Sequence, residues 1–554
     1  MPSDPMATAA AAPDGRSLAA RAGDLLRGGD VAGAVAAARQ ATEAAPEAVE
    51  TWLALARARE AEGDLAAAFD ACDAARGAAP DAAEVAGLMA RLALRAGSNA
   101  LAEALLADLA QSGAASAAMI ATLAAAQTQL LKFGDAHAVL RTALEADPGA
   151  AELWCALGAL LCAEGRHGQS LVFFEESLRL GPRMPAALSG LAAALLATGG
   201  DPHQVRALGA EALVAAEPHE AAAFGEEHAR RLLALGDLAG GWAAFARAGD
   251  PDLRADRVAR IAARRWSPDT APGGRLLLLG EEGLADEILL ARAAVQVVAD
   301  QPLILAVSPV WLALARRSFP SSHVVSRLVR PGRTDHWLAA DLDSPHLHEG
   351  ELVGAWAPLR AVIASPHGEA AGWGLRAACL TPDAAAVARW RGRVAALGPG
   401  PKVGLAWRLP AEDPAAAWTA PPLPALAGPL STAGITLVAA KHRGSEAEAA
   451  WLSAHLGTAV RNMHDLPFED LDALAALACA LDVVVGPPGV ETFLAAACGA
   501  ETWIITTPGH WAMLGTETFP WFPNVRVFRA DGPGEWDGAL AELGEALAAL
   551  AARA

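Results

Sequence analysis

The chain has 554 residues, 53% of them apolar, and a formal charge of −20 at neutral pH. That length calls for more than one core, and that charge excludes a protein built around a basic face for nucleic-acid phosphates. No stretch approaches the ~20 consecutive strongly apolar residues of a membrane span. The start, "MPSDPMATAAAAPDGR", lacks the basic n-region and leucine-rich core of a signal peptide, so residues 1–14 are expected to be a disordered tail. Cys72, Cys155, Cys162, Cys379, Cys479 and Cys498 form no CxxC pair and sit mostly among alanine and leucine. They are read as reduced thiols of a cytoplasmic protein.

The first half repeats itself. Pro46, Pro80, Pro148 and Pro182 close similar phrases at steps of 34, 68 and 34 residues, and Gly29, Gly63, Gly97, Gly165 and Gly199 keep the same step. A 34-residue period is that of the tetratricopeptide repeat. The fullest copy is "AELWCALGALLCAEGRHGQSLVFFEESLRLGP", with Trp154, Leu157, Gly158, Phe174 and Pro182 in the repeat's characteristic places. Small residues let the two helices of a hairpin approach, large ones fill the gap to the next hairpin, and glycine ends the first helix. Six repeats are expected to start near residues 15, 49, 83, 117, 151 and 185. A degenerate seventh, "LGDLAGGWAAFARAGDP", completes an array over 15–254. Such an array fits a groove for a protein partner, and its neighbour-to-neighbour stability predicts that residues 1–250 fold alone.

After a turn-rich linker, 255–274, the period changes. Short apolar runs at 275–279, 303–307, 323–326, 402–407, 435–440, 482–486, 502–506 and 525–528 alternate with helical stretches. Continuous Leu/Val/Ile strands between helices predict parallel sheets covered on both faces. A Gly/Pro-rich break near Pro399 divides this half into units over 275–398 and 399–554. The fold class expected is therefore α + α/β, an α-solenoid followed by two Rossmann-like α/β units. Ligands of such sheets sit beyond the carboxyl ends of the strands.

Five segments carry a family resemblance in order: "GEEGLADEILLAR" from Gly280, "ARRSFP" from Ala315, "KVGLAWR" from Lys402, "LDALAALACALDVVVGPPG" from Leu471 and "LAAACGAETWIITTP" from Leu494. An aromatic closing segment, "HWAMLGTETFPWFPNVRVFRA", follows from His510. This half resembles the bacterial heptosyltransferase-like group of GT-B glycosyltransferases, above all versions fused behind tetratricopeptide repeats that modify flagellin in alphaproteobacteria. The resemblance implies a GT-B fold with the acceptor side at 275–398 and the nucleotide-sugar side at 399–554. It also implies flagellin held by the repeats and a nonulosonic acid, such as pseudaminic acid, transferred to Ser/Thr from a CMP donor. The sugar nucleotide would be a co-substrate, with no permanently bound cofactor. The sequence departs from the group at Ala285, at "GPPGVETFL" and at Lys441, which leaves open a repeat scaffold with a non-catalytic transferase-like module.

Within this frame Asp286 is the candidate base, since an inverting transfer needs a carboxylate within reach of the acceptor hydroxyl, and Glu282 is a second candidate. Gly283 and Glu287 belong to the same acceptor-side loop. Asp286 and Glu287 equally fit a helix N-terminus, where carboxylates oppose the dipole. On the donor side, Gly486, Gly489, Glu491 and Thr492 form a strand-to-helix turn with open N–H groups suited to phosphate. Arg408, Lys441 and His442 would balance a departing phosphate, and His510 would close over the nucleotide. No metal ligand set is expected, and transfer is read as metal-independent.

Overall fold

The computed structural model describes residues 14–217, 220–248, 263–269, 273–281, 283–328, 339–340, 353–366, 368, 378–407, 419–440, 446–457, 459–463 and 470–553. The expected tail (1–14, apart from Asp14), most of the expected linker, Glu282, Arg408, Lys441 and His442 lie outside the described residues.

The repeat half consists of helical hairpins. First helices begin at Gly15, Val49, Ala83, Ala117, Ala151 and Pro185, and a seventh hairpin pairs Ala221–Ala234 with Leu238–Ala248. The glycine at each inner turn takes a left-handed conformation: φ is 80° at Gly29, 85° at Gly63, 73° at Gly97, 78° at Gly165 and 69° at Gly199. The fourth repeat has no glycine at that step, and Leu131 adopts φ 60° in its place. Packing follows the small-and-large rule. Phe174 is 1% exposed, and a side chain at Gly158 or at Gly190 of the next hairpin would run into its ring.

Two compact units emerge. One is essentially Met1–Leu130, and the other is most of Leu131–Ala554. The division therefore falls inside the fourth repeat and not at the linker expected over 255–274. The reason lies in the core of the second unit. Leu232, Leu233, Trp242 and Phe245 of the seventh hairpin share one hydrophobic cluster with Leu276, Leu278, Ile288 and Leu290. Their apolar faces are covered by the sheet module as well as by neighbouring repeats, so the self-contained array expected over 1–250 gives way to a shared core.

That module holds two sheets. The first runs β1 (Arg264–Arg265), β6 (Val353–Pro358), β2 (Arg275–Leu279), β3 (Leu303–Val307), β4 (Ser322–Leu328), β5 (Ala339–Ala340). It is parallel apart from β5. The second runs β11 (Val525–Arg529), β10 (Thr502–Thr506), β9 (Val483–Gly486), β7 (Lys402–Leu405), β8 (Thr436–Ala439), and all its pairings are parallel. Sequence reading missed β1, β5 and β6. The run "VGAWAP" of β6 owes its strand conformation to pairing with β2 and not to a branched apolar pattern of its own. No described helix is long and apolar enough to cross a membrane.

Candidate functional site

Each sheet has one place where the strand order reverses. In the first sheet β3 and β4 extend to one side of β2, and β6 returns to the other. In the second, β8 lies on one side of β7 and β9 on the other. The crevice at such a point, beyond the strands' carboxyl ends, is the ligand position of open parallel sheets. Gly280–Glu287 leaves β2 at the first switch point, and "GPPG" from Gly486 leaves β9 at the second. The helices that follow, Leu284–Val297 and Val490–Ala497, pack against one another, which joins the two halves of the module.

The loop after β2 is built on carboxylates. Glu281 is 3% exposed and accepts from the Arg360 backbone N–H at 3.0 Å and from its Nε at 2.6 Å. Glu287 is fully buried. Its Oε1 accepts from the Ser308 N–H at 2.7 Å and the Trp311 Nε1–H at 2.6 Å, with Arg327 3.5 Å from Oε2. Burial pushes the Glu287 carboxyl above its ordinary range, against the pull of Arg327 and the two hydrogen bonds. A side chain at Gly280 would collide with the Glu287 carboxylate, so the glycine makes room for it. Glu281 and Glu287 thus fasten the loop to the helix that follows β6 and to the turn that follows β3, and Glu287 has no surface to offer an acceptor. Gly283 is the N-cap residue of the following helix, and no side chain caps that end. Asp286 and Glu287 both sit in the first turn of that helix, where carboxylates oppose the dipole, although neither makes a side-chain cap bond.

Asp286, 8% exposed, looks the other way. Its Oδ2 accepts from Arg230 Nη2 at 2.6 Å, and Arg230 also bonds Glu226 at 3.1 Å. The Arg230 guanidinium lies 5.2 Å from the Trp511 ring and 5.5 Å from Phe245, and Arg360 lies 4.2 Å from Phe245. Cations over aromatic faces help to hold this geometry. The seventh repeat hairpin therefore supplies a wall of the switch-point crevice, a contribution that no local motif announced.

On the second sheet, Gly486 is required by packing, since a Cβ there would strike the Ala406 carbonyl. Gly489 is extended at φ 179°, a conformation open to any residue. Thr492 is fully buried. Its hydroxyl accepts from the Gly489 N–H at 3.1 Å and donates to the Pro487 carbonyl at 2.8 Å, so it holds the turn together and is not presented to a ribose. Glu491 is 9% exposed on the same first turn. His510 accepts at Nδ1 from the Ala512 N–H at 3.2 Å, and burial together with nearby Arg230 pushes its ring down to about 4.

The metal-independent reading supposes a chain without an Asp-x-Asp motif, but the sequence contains such triplets. Asp341 and Asp343 lie outside the described residues. Asp470 caps the helix Leu471–Ala478 by accepting from the Asp472 and Ala473 N–H groups at 3.0 and 3.2 Å, and Asp472 pairs with Arg317. Both serve the structure. Among the described residues no group of three His, Cys, Asp or Glu side chains could hold a metal ion.

The repeats of the second unit carry a groove of 740 Å³. Trp154 and Phe173 stack on its wall at 6.0 Å, and Arg141, Leu157, Leu161 and Arg166 also line it.

Hairpin repeats joined through a shared core to two largely parallel sheets, with a loop at the switch point of each, define a repeat-fused α/β protein. The chain belongs to the family of Protein FlbA of Caulobacter vibrioides, with which it is 32% identical over 512 residues, 90% of this chain and 84% of that one. No protein-family model matches. Among solved structures, PilW, a type IV pilus biogenesis factor, is 19% identical at a TM-score of 0.31, over 36% of this chain and 92% of PilW. A thermophilic TPR protein of Thermus thermophilus is 23% identical at 0.29, over 30% of this chain and 92% of its own.

Proposed function

We propose that the chain is a protein O-glycosyltransferase that holds its acceptor, flagellin, through the repeats and transfers a nonulosonic acid from a CMP donor to Ser/Thr hydroxyls. The observation that carries this reading is Asp286, a carboxylate at the switch point of the first sheet, 8% exposed and bonded to Arg230. In an inverting transfer the carboxylate takes the acceptor proton as the hydroxyl oxygen attacks the anomeric carbon, and CMP leaves with the electrons of the broken bond. The acceptor hydroxyl would replace the Arg230 N–H at Asp286, freeing a cation for the charge that develops on the leaving phosphate. The aromatic groove at Trp154 and Phe173 supports the protein-binding part, and the ordered GT-B resemblance supports the donor.

A second reading, a scaffold with an inactive module, draws on the Thr492 hydroxyl and Glu287 Oε1, which are engaged within the fold. One experiment separates the two. Purified full-length chain, flagellin and CMP-nonulosonate are incubated together, and the flagellin is weighed intact. A mass increment of one sugar residue per modified site is expected. An unchanged mass together with retained flagellin binding leaves the scaffold reading in place.

A further inference from the structure

A cavity of 170 Å³ opens at the carboxyl end of β10. Arg230 and Arg231 reach it from the seventh repeat hairpin, and Thr419, Thr507, His510 and Trp511 from the second sheet's side. The carboxylates that pair with the two guanidinium groups, Glu226, Glu227 and Asp286, are not among its lining residues. Arg231 is 8% exposed. Its Nη2 donates to Ser189 Oγ at 2.7 Å and to Glu227 at 2.9 Å, but Nη1 is buried with no hydrogen-bond partner among the described residues. A guanidinium has five N–H donors and no acceptor, and this one keeps a donor unmatched by the fold beside the cavity that its residue lines. His510 adds another donor. Because Nδ1 accepts from the Ala512 N–H, the neutral ring carries its proton on Nε2. Arg230, Arg231, Thr419, Thr507 and His510 thus bring N–H groups and hydroxyls to a largely apolar cavity at the sheet edge where ligands sit.

We infer that this cavity is an oxyanion site, taking a phosphate or a sugar carboxylate, with its cations supplied by the seventh repeat hairpin. The site stands on the cavity itself. That its natural occupant is a sugar nucleotide rests on the transferase reading above.

The test is calorimetric titration of inorganic phosphate, CMP and free sialic acid into the full-length chain. Two variants are compared with wild type: Arg231→Gln, which removes the charge, and Thr419→Glu, which sets a carboxylate at the cavity. Binding of at least one probe to wild type is expected, weakened roughly ten- to hundredfold in each variant. Phosphate and CMP without the sugar acid identify a phosphate subsite, and the reverse pattern identifies a carboxylate subsite. Should Arg231→Gln lose its helical circular dichroism, Thr419→Glu decides alone. The inference is overturned if wild type binds none of the three, or if folded variants bind as wild type does. Oxyanion binding that fails in the variants, in a protein that glycosylates nothing, keeps the cavity and removes the transferase. Transfer and CMP binding left intact in both variants remove the cavity and keep the transferase.

Discussion

Arg230 and Asp286 stand 56 residues apart in the chain, yet the guanidinium of one donates to the carboxylate of the other over 2.6 Å. One belongs to a repeat helix and the other to the first turn of the helix that follows β2. Asp286→Asn keeps the shape and a hydrogen-bond acceptor while removing the base. Transfer to flagellin should fall ~10²–10⁴-fold, with CMP affinity unchanged within a few-fold, as read by intact mass and calorimetry. Wild-type turnover in the variant would assign the carboxylate to the ion pair alone. The Arg230 side chain is 33% exposed, so screening limits the pair. A double-mutant cycle of Arg230→Gln and Asp286→Asn in urea should give a coupling of about 1 kcal/mol.

The shared core sets where the chain can be cut. A fragment ending at Leu130 should fold by itself, because its three hairpins and the first helix of the fourth make up most of one compact unit. A fragment ending at residue 250 bares Leu232, Leu233, Trp242 and Phe245, which the whole chain buries with the first sheet. Its last hairpin should be cleaved early by protease and should bind a hydrophobic dye, whereas residues 131–554 should unfold in one cooperative step. Equal protection of the seventh hairpin in the 1–250 fragment would contradict the shared core.

Glu287 predicts a pH dependence. Its carboxyl is raised above its unfolded value by burial. Between the ordinary glutamate value and the raised one, the folded state holds more protons than the unfolded state, so this residue's contribution to stability falls as pH rises through that window. Glu287→Gln removes the titration and retains an oxygen for Ser308 and Trp311. Its stability should change less with pH than wild type's across that range. Glu287→Ala orphans both donors and opens a gap, which should cost about 3 kcal/mol. Thermal unfolding at a series of pH values measures both.

Leu131 occupies the glycine step of the fourth repeat at φ 60°, and it is 57% exposed. A β-carbon in that conformation costs roughly 1–2 kcal/mol, and little burial offsets it. Leu131→Gly should raise stability by about 1 kcal/mol, less the added freedom of glycine in the unfolded chain. Denaturation of the two proteins side by side gives the sign, and a less stable variant would mean that the leucine side chain contributes more than its exposure implies.

The groove at Trp154 makes the remaining prediction. The Trp154 indole is tied back by donating to the Pro148 carbonyl at 2.9 Å, whereas Phe173 stacks on it from the next helix. Phe173→Ala and Arg141→Glu should each weaken flagellin binding at least about tenfold, since an aromatic anchor and a flanking cation are typical energetic centres of an interface. Both should leave CMP binding alone. Unchanged capture of flagellin by both variants in a pull-down would move the acceptor away from this groove.

What the sequence determined by itself is periodic. The 34-residue step located the first helix of each of the first six hairpins, because helix boundaries follow from local glycine, proline and small-residue placement. Leucine and valine runs located β2, β3, β7, β9 and β10 for the same local reason. The candidate site was legible only as two loops at strand ends. Residue types there could not say that Glu281 and Glu287 fasten a loop while Asp286 meets a repeat helix, because all three are carboxylates close together in the chain. Which of them is buried, and by what, depends on Arg360, Trp311 and Arg230, placed 79, 24 and 56 residues away. Nor could local reading find β6, whose conformation is set by the neighbour it pairs with. It could not find the division at Leu130 either, which follows from how much apolar surface the last repeats bury against the sheets. Local pattern fixes the elements, because backbone preference and side-chain period act over a few residues. Tertiary packing decides the partners, because burial and ion pairing are settled only when distant segments meet.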